Sequence, residues 1–176
     1  MRGTIATLAA LAWLLAPLAS IAQEIPESPD WPVTGLRVRL GASATEVQRA
    51  YGLTEAPQST PSSVIPNQTQ LRKPAQGKWF FFDQHNCLVN VRLENGFSGA
   101  VAGVRLGDTS KALHDRLGPL LSHRSGPFAG LLGDVSPTLS VRFDLWNGKV
   151  SKLFLVPPHY DKNASFCKVV SALPER

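Results

Sequence analysis

The chain has 176 residues, 18 Lys plus Arg against 13 Asp plus Glu, and a formal net charge of +5. That length suits one compact domain or two small fused units. The basic residues are scattered, as Arg37, Arg39, Arg72, Lys73, Arg92, Arg105, Arg116, Arg124 and Arg142, so they read as a solvated surface and not as a nucleic-acid footprint.

Met1-Arg2 leads into an apolar stretch from Ile5 to Ala22, with Pro17 near its end and the small residues Ser20 and Ala22 just before Gln23. This predicts a secretory signal peptide over 1–22, cleaved after Ala22. No basic stop-transfer run follows and no cysteine stands at the cut to carry a lipid. A periplasmic or secreted chain without stable membrane insertion is the expectation. Its mature form has 154 residues and a charge of +4. In an oxidising compartment the two cysteines, Cys87 and Cys167, are expected to pair. Closing that loop restricts the unfolded chain by about 4 kcal/mol on the chain-entropy account, and it ties the 157–176 tail to the body. Two free core thiols are the alternative.

Residues 23–34 hold Pro26, Pro29 and Pro32, which bars a regular helix and predicts an extended arm anchored by Trp31. Ser43-Ala44-Thr45-Glu46 fits a capping box, in which the Ser43 hydroxyl and the Glu46 carboxylate each satisfy a backbone amide of the other. A helix over about 43–52 follows, with Val47, Ala50 and Tyr51 on one face and Gly52 as its stop. From Leu53 to Lys78 the chain is polar and carries four prolines, so a long surface loop is expected. Trp79 to Phe82 read as core, and a hairpin over about 79–93 turns at Asp83–Asn86. Period-two alternation sets Cys87, Val89, Val91 and Leu93 on its apolar face.

Asp108 or Thr109 caps a second helix over about 109–118, with Leu113 and Leu117 inward and Gly118-Pro119 ending it. Residues 125–134 form a Gly-rich loop carrying Phe128, Leu131 and Leu132. A hairpin over about 138–156 turns at Asn147-Gly148. A two-residue turn there pairs Phe143 with Lys152, which would place a lysine on the apolar face. Either a bulge near Ser151 re-aims Leu153 and Leu155 inward, or that face is partly wet.

The two helices carry an echo. Val38-Arg39-Leu40-Gly41 matches Val104-Arg105-Leu106-Gly107, Ser43 matches Thr109, Val47 matches Leu113, and Gly52 matches Gly118. The expected class is therefore α+β, built as two tandem helix-plus-antiparallel-sheet repeats over 35–96 and 97–156. The stretch Val104-Arg-Leu-Gly-Asp-Thr-Ser-Lys-Ala-Leu-His-Asp-Arg-Leu-Gly-Pro119 resembles the opening of the small outer-membrane-assembly lipoproteins of the SmpA/OmlA type. A helix-then-strands unit used twice in tandem is similar to the β-lactamase-inhibitor-protein fold. What these resemblances imply is a protein-binding module without catalysis. The first copy departs from the motif, having Tyr51-Gly52-Leu53 and Pro57 in place of Leu-Gly-x-Pro, and the lipoprotein cysteine is absent.

Asp83-x-His85-x-Cys87, with His159, could bring metal ligands together, but the spacing is not that of a paired zinc site and a disulfide would consume the sulfurs. No nucleophile elbow, zincin helix or phosphate loop occurs, and the four histidines are scattered. Neither catalytic residues, nor a metal, nor a cofactor is expected. The residue types that become binding anchors when exposed are Phe128, Leu131, Leu132 and, at a hairpin corner, Trp146. The leading expectation is an inhibitor or immunity-type protein that blocks a partner protein through the 125–134 loop. An envelope-assembly factor is the second reading, and a small metal-dependent or hydrolytic enzyme the third.

Overall fold

Ser43 opens the first helix as the sequence predicts. Its Oγ accepts from the Glu46 amide at 3.3 Å, while Glu46 Oε2 accepts from the Ser43 amide at 2.7 Å. The Ser43 amide, together with the Ser43 hydroxyl that also donates to Oε2 at 2.8 Å, holds the Glu46 carboxyl below the usual carboxylate range. Helix α1 runs Ala44–Tyr51 and stops at Gly52, whose left-handed backbone returns an amide to the Gln48 carbonyl. Helix α2, Ser110–Leu117, is capped by Thr109, whose Oγ1 accepts from the Ala112 amide. Asp108 is engaged elsewhere, accepting from the Arg105 amide and from Arg116.

The computed structural model describes residues 23–61, 67–125 and 128–158, without the side chains of residues 123–125 and 128. The predicted signal peptide, Cys167 and the tail beyond Pro158 lie outside them. Eight strands, all paired antiparallel, make one sheet. They are β1 Gln58–Ser59, β2 Thr69–Lys73, β3 Lys78–Phe82, β4 Leu88–Leu93, β5 Leu121–Ser125, β6 Phe128–Ser136, β7 Leu139–Trp146 and β8 Lys149–Val156. Their order is β1-β2-β3-β4-β8-β7-β6-β5. The strands after α1 thus fill one half of the sheet and those after α2 the other. The halves join where β4 meets β8, through Val91↔Leu155, Arg92↔Phe154 and Leu93↔Leu153.

Two expectations are corrected. The polar stretch 53–78 is not all loop, since it supplies β1, β2 and a 3-10 turn over Pro74–Gln76. The described residues of the Gly-rich stretch 125–134 are strand as well, Ser125 lying in β5 and Phe128 to Asp134 in β6, where they pair with β5 or β7. Of the two alternatives for the β7–β8 register, the bulge near Ser151 is the one present. Asp144 pairs with Lys152 and Leu145 with Val150, leaving Ser151 unpaired between them. Its hydroxyl donates to the Asp144 carbonyl at 3.0 Å. The extra residue turns Leu153 to face Phe143 and restores the apolar row.

A second irregularity falls between Phe81 and Phe82, which pair with Asn90 and Leu88 and leave Val89 over. Strict alternation from Cys87 to Leu93 therefore fails, and Leu88 joins the core. The core lies on one face of the sheet. Phe80, Val91, Leu155 and Val141 form one cross-strand row, and Leu93, Leu153, Phe143 and Leu131 the next. Val47, Ala50 and Tyr51 of α1, Leu113 of α2, and Trp31 and Val33 of the arm pack against these rows. Trp79 and Phe81 point the other way and are half-buried, so the run 79–82 is only half core.

Each helix is fastened to the sheet in the same manner. Gly41 donates to the Leu88 carbonyl and Leu88 to that of Ala42, while Gly107 donates to Val150 and Val150 to Asp108, all at 2.8 Å. The capping residues Ser43 and Thr109 bridge to Cys87 and Lys149. Gly41 and Gly107 have φ of 93° and 88°, values that favour glycine.

Tyr51 gives a pH signature. Its ring lies 4.9 Å from that of Phe80 and its hydroxyl accepts from the Arg37 amide at 2.9 Å. Burial pushes its pKa from 10.0 up to about 12, and the Arg37 amide only partly offsets this. The folded state holds the proton more tightly than the unfolded state. The resulting stability is complete below pH 10 and is lost between pH 10 and about 12. Tyrosinate absorbance of the folded chain should show Tyr51 ionising together with unfolding, not ahead of it.

Candidate functional site: an arginine–aromatic row on the second sheet face

On the face opposite the core, one lateral row crosses seven strands. It reads Arg72, Trp79, Arg92, Phe154, Arg142, Leu132 and Leu121, each paired with the next. Directly paired residues share a face, so the register alone assembles this line. Its first five members alternate guanidinium with aromatic ring. The Arg92 guanidinium lies 4.6 Å from the Trp79 ring centroid and 5.8 Å from that of Phe81, and Arg142 lies 3.8 Å from Phe154. Adjacent strands are about 4.8 Å apart, so cations recur about every 10 Å along the row.

Two of the cations also meet a carboxylate two residues further along the chain. Arg142 Nε is 3.0 Å from Asp144 Oδ1, and Arg92 Nε is 3.4 Å from Glu94 Oε2. Both Nε groups and Asp144 Oδ1 are buried yet make no aligned hydrogen bond among the described residues. The contacts are ionic and fall outside hydrogen-bond geometry. Asn90 Oδ1, buried nearby on β4, also lacks a hydrogen bond. Beside the row a groove of about 820 Å³ opens, lined among others by Phe81, Asn90, Leu132, Arg142 and Phe154. Pro157 and Pro158, where the described chain leaves β8, form part of its wall.

The predicted anchors are dispersed by this geometry. Leu131 faces the core opposite Phe143 and is only 8% exposed, so it is no surface anchor. Leu132, one position on, belongs to the row and the groove. Phe128 pairs through its backbone with Ser125, and its side chain is not among those described. Trp146 stands 54% exposed at the β7–β8 corner, away from the groove lining. Arg72, Trp79, Arg92, Arg142 and Phe154, which reading along the chain did not single out, make up most of the site. Only the register between strands distant in sequence places them together.

The Asp83–His85–Cys87 trio has a structural use. Asp83 Oδ1 accepts from the amides of His85 and Cys87 at 2.9 and 3.0 Å and so shapes the β3–β4 turn. Among the described residues no group of three or more His, Cys, Asp or Glu side chains gathers as a metal site would. No described cysteine is a free thiol. No described helix is long and apolar enough to cross a membrane.

No family model and no curated protein matches the chain. Among solved structures, a DUF4309 family protein, YjgB, from Bacillus subtilis is 13% identical. It covers 66% of this chain and 78% of its own, with a TM-score of 0.44. An extracellular protein containing an SCP domain, from Bacillus anthracis, is 9% identical, with 68% of this chain and 44% of that chain covered and a TM-score of 0.51. The second is a likeness of fold alone.

Proposed function

We propose that this chain is an exported, non-enzymatic protein-binding module, of inhibitor or immunity type, acting in the periplasm or after secretion. Its contact surface is the second face of the sheet, in place of the 125–134 segment. The observation that carries this reading is the Arg72-to-Leu121 row. Tryptophan and arginine are the side chains most enriched among residues that dominate binding energy. Here they are stacked on one another and half-buried, so little side-chain freedom remains to be lost on association. The partner is a protein whose contact patch sets carboxylates among apolar groups, since the row offers guanidinium and hydrocarbon in alternation.

Two further parts belong to the proposal. The chain is a tandem duplication, supported by the matched fastenings at Gly41 and Gly107 and by a strand order that reads alike from either edge. Under that relation Arg92 and Phe154 are equivalent residues facing one another at the join. Cys87 pairs with Cys167, supported by the lack of a free described thiol. Without reductant, the exported protein should weigh two hydrogens less than its reduced form, and an unchanged mass would remove that bond.

The test begins with the partner crosslinked to the exported protein in its native envelope and then reconstituted as a complex of known stoichiometry. Trp79→Ala should weaken binding by at least about 30-fold, corresponding to roughly 2 kcal/mol. Arg142→Ala should weaken it as well. If both variants bind normally while Trp146→Ala does not, the contact lies at the hairpin corner and this assignment fails.

A further inference from the structure

A second cationic concavity lies on the helix side of the sheet. A groove of about 430 Å³ runs between the arm-to-helix segment 37–42 and α1, and Arg37, Arg39, Arg49 and Glu46 line it. Two of the arginines are held in place. Arg37 Nη1 donates to the Ala50 carbonyl at 3.2 Å, and the Arg39 guanidinium sits 5.8 Å from the Trp31 ring centroid. Arg49 projects from the last turn of α1. The lone carboxylate, Glu46, is already engaged by the Ser43 amide and hydroxyl. Among the described residues, no carboxylate lies within ion-pair distance of any of the three guanidiniums, the ion pairs there being Arg92–Glu94, Lys111–Asp115, Arg116–Asp108 and Arg142–Asp144. Three cations and one committed anion line the groove, and with Glu24, which acts electrostatically on Tyr51 as Arg37 does, counted as well, the surplus is one positive charge.

The second helix shows that the fold does not need this arrangement. At the places matching Arg37, Arg39, Glu46 and Arg49 stand Gly103, Arg105, Ala112 and Asp115. There two of the three nearby cations are paired, Arg116 with Asp108 and Lys111 with Asp115, and Arg105 is left over. The same backbone frame carries mostly ion-paired side chains in one case and three guanidiniums without an ion-pair partner among the described residues in the other.

We infer that the groove bounded by Arg37, Arg39 and Arg49 is a binding site for a compact dianion of the phosphate class, carried either by a free phosphate ester or by a lipid headgroup. Guanidinium forks fit phosphate oxygens in pairs. Two of the three are already positioned, which lowers the cost of binding.

The experiment titrates inorganic phosphate and pyrophosphate calorimetrically into the full mature chain. The Arg39→Gln/Arg49→Gln double variant is run beside Arg105→Gln/Lys111→Gln, which removes the same charge from the second helix region. Arg39 and Arg49 are exposed, so melting should be unchanged in the first variant. Saturable binding with Kd of about 1 mM or tighter is expected, weakened at least ~10-fold by the first pair of substitutions and little by the second. No saturation with either anion, or equal weakening in both variants, overturns the site. A vesicle arm compares phosphatidylglycerol with phosphatidylcholine. Capture on the anionic vesicles that the first variant alone abolishes assigns the phosphate to a headgroup, and saturable phosphate binding without vesicle capture assigns it to a soluble ester.

Discussion

Gly77→Ala should destabilise the protein by about 4 kcal/mol, through backbone strain and overpacking together. Gly77 closes the 3-10 turn between β2 and β3 with φ of 62°, a region costly for alanine. A Cβ there would stand 2.1 Å from the Glu94 carbonyl oxygen, 2.6 Å from that of Asn95 and 2.7 Å from the Phe97 amide nitrogen. All three obstacles are main chain, so no rotamer change relieves them. Movement of the 94–97 turn would break the bonds from Glu94 to the Gly77 carbonyl and from Phe97 to the Glu94 carbonyl. Gly52→Ala is the control. It has nearly the same φ, 61°, but nothing within 4 Å of the added carbon, and should cost only about 1 kcal/mol. Chemical denaturation of both variants separates the clash from the conformational preference. Equal losses would show that the close approach is not as described.

Phe80→Ala should cost about 3–5 kcal/mol. Phe80 is fully buried, faces Leu71 and Val91 across the sheet, and meets the Tyr51 ring of α1. Its removal leaves a hole that the sheet cannot close without shifting the helix. Phe81→Ala, one residue on and half-buried on the second face, should cost well under half as much. Midpoints of unfolding that fell alike in the two variants would place the core on both faces and undo the assignment of the second face to a partner.

Elements written in short-range signals were legible from the chain alone. The Ser43/Glu46 capping box, the Thr109 cap, the Asn147-Gly148 turn and the Trp31 anchor each depend on residues within a few positions of one another. The Ser151 bulge was legible as one of two ways to keep a lysine from falling among leucines, and the register decides for it. What escaped was governed by distant neighbours. β2 carries one core residue, Leu71, amid polar ones, so its strand character comes from pairing with β3. β6 looked like a loop because of Gly130 and Gly133. Yet Gly133 is a strand residue opposite Val141, and a Cβ on it would meet the Leu120 side chain at 2.4 Å. Glycine there admits a leucine and does not break the strand. The arginine–aromatic row was beyond reach for the same reason. Its members are spread from Arg72 to Phe154, and only the joining of β4 to β8 lines them up.

That row is not straight in space. Neighbouring strands in a sheet rotate by roughly 20–25°, so six steps from Arg72 to Leu121 turn the surface through about 120–150° overall. The two ends look in widely different directions, and no flat rigid object can press on both. A globular partner that bears on the row meets it best over the central strands, where Trp79, Arg92, Phe154 and Arg142 stand. Anything reaching both extremities has to be curved to match, or supple enough to follow the twist of the sheet.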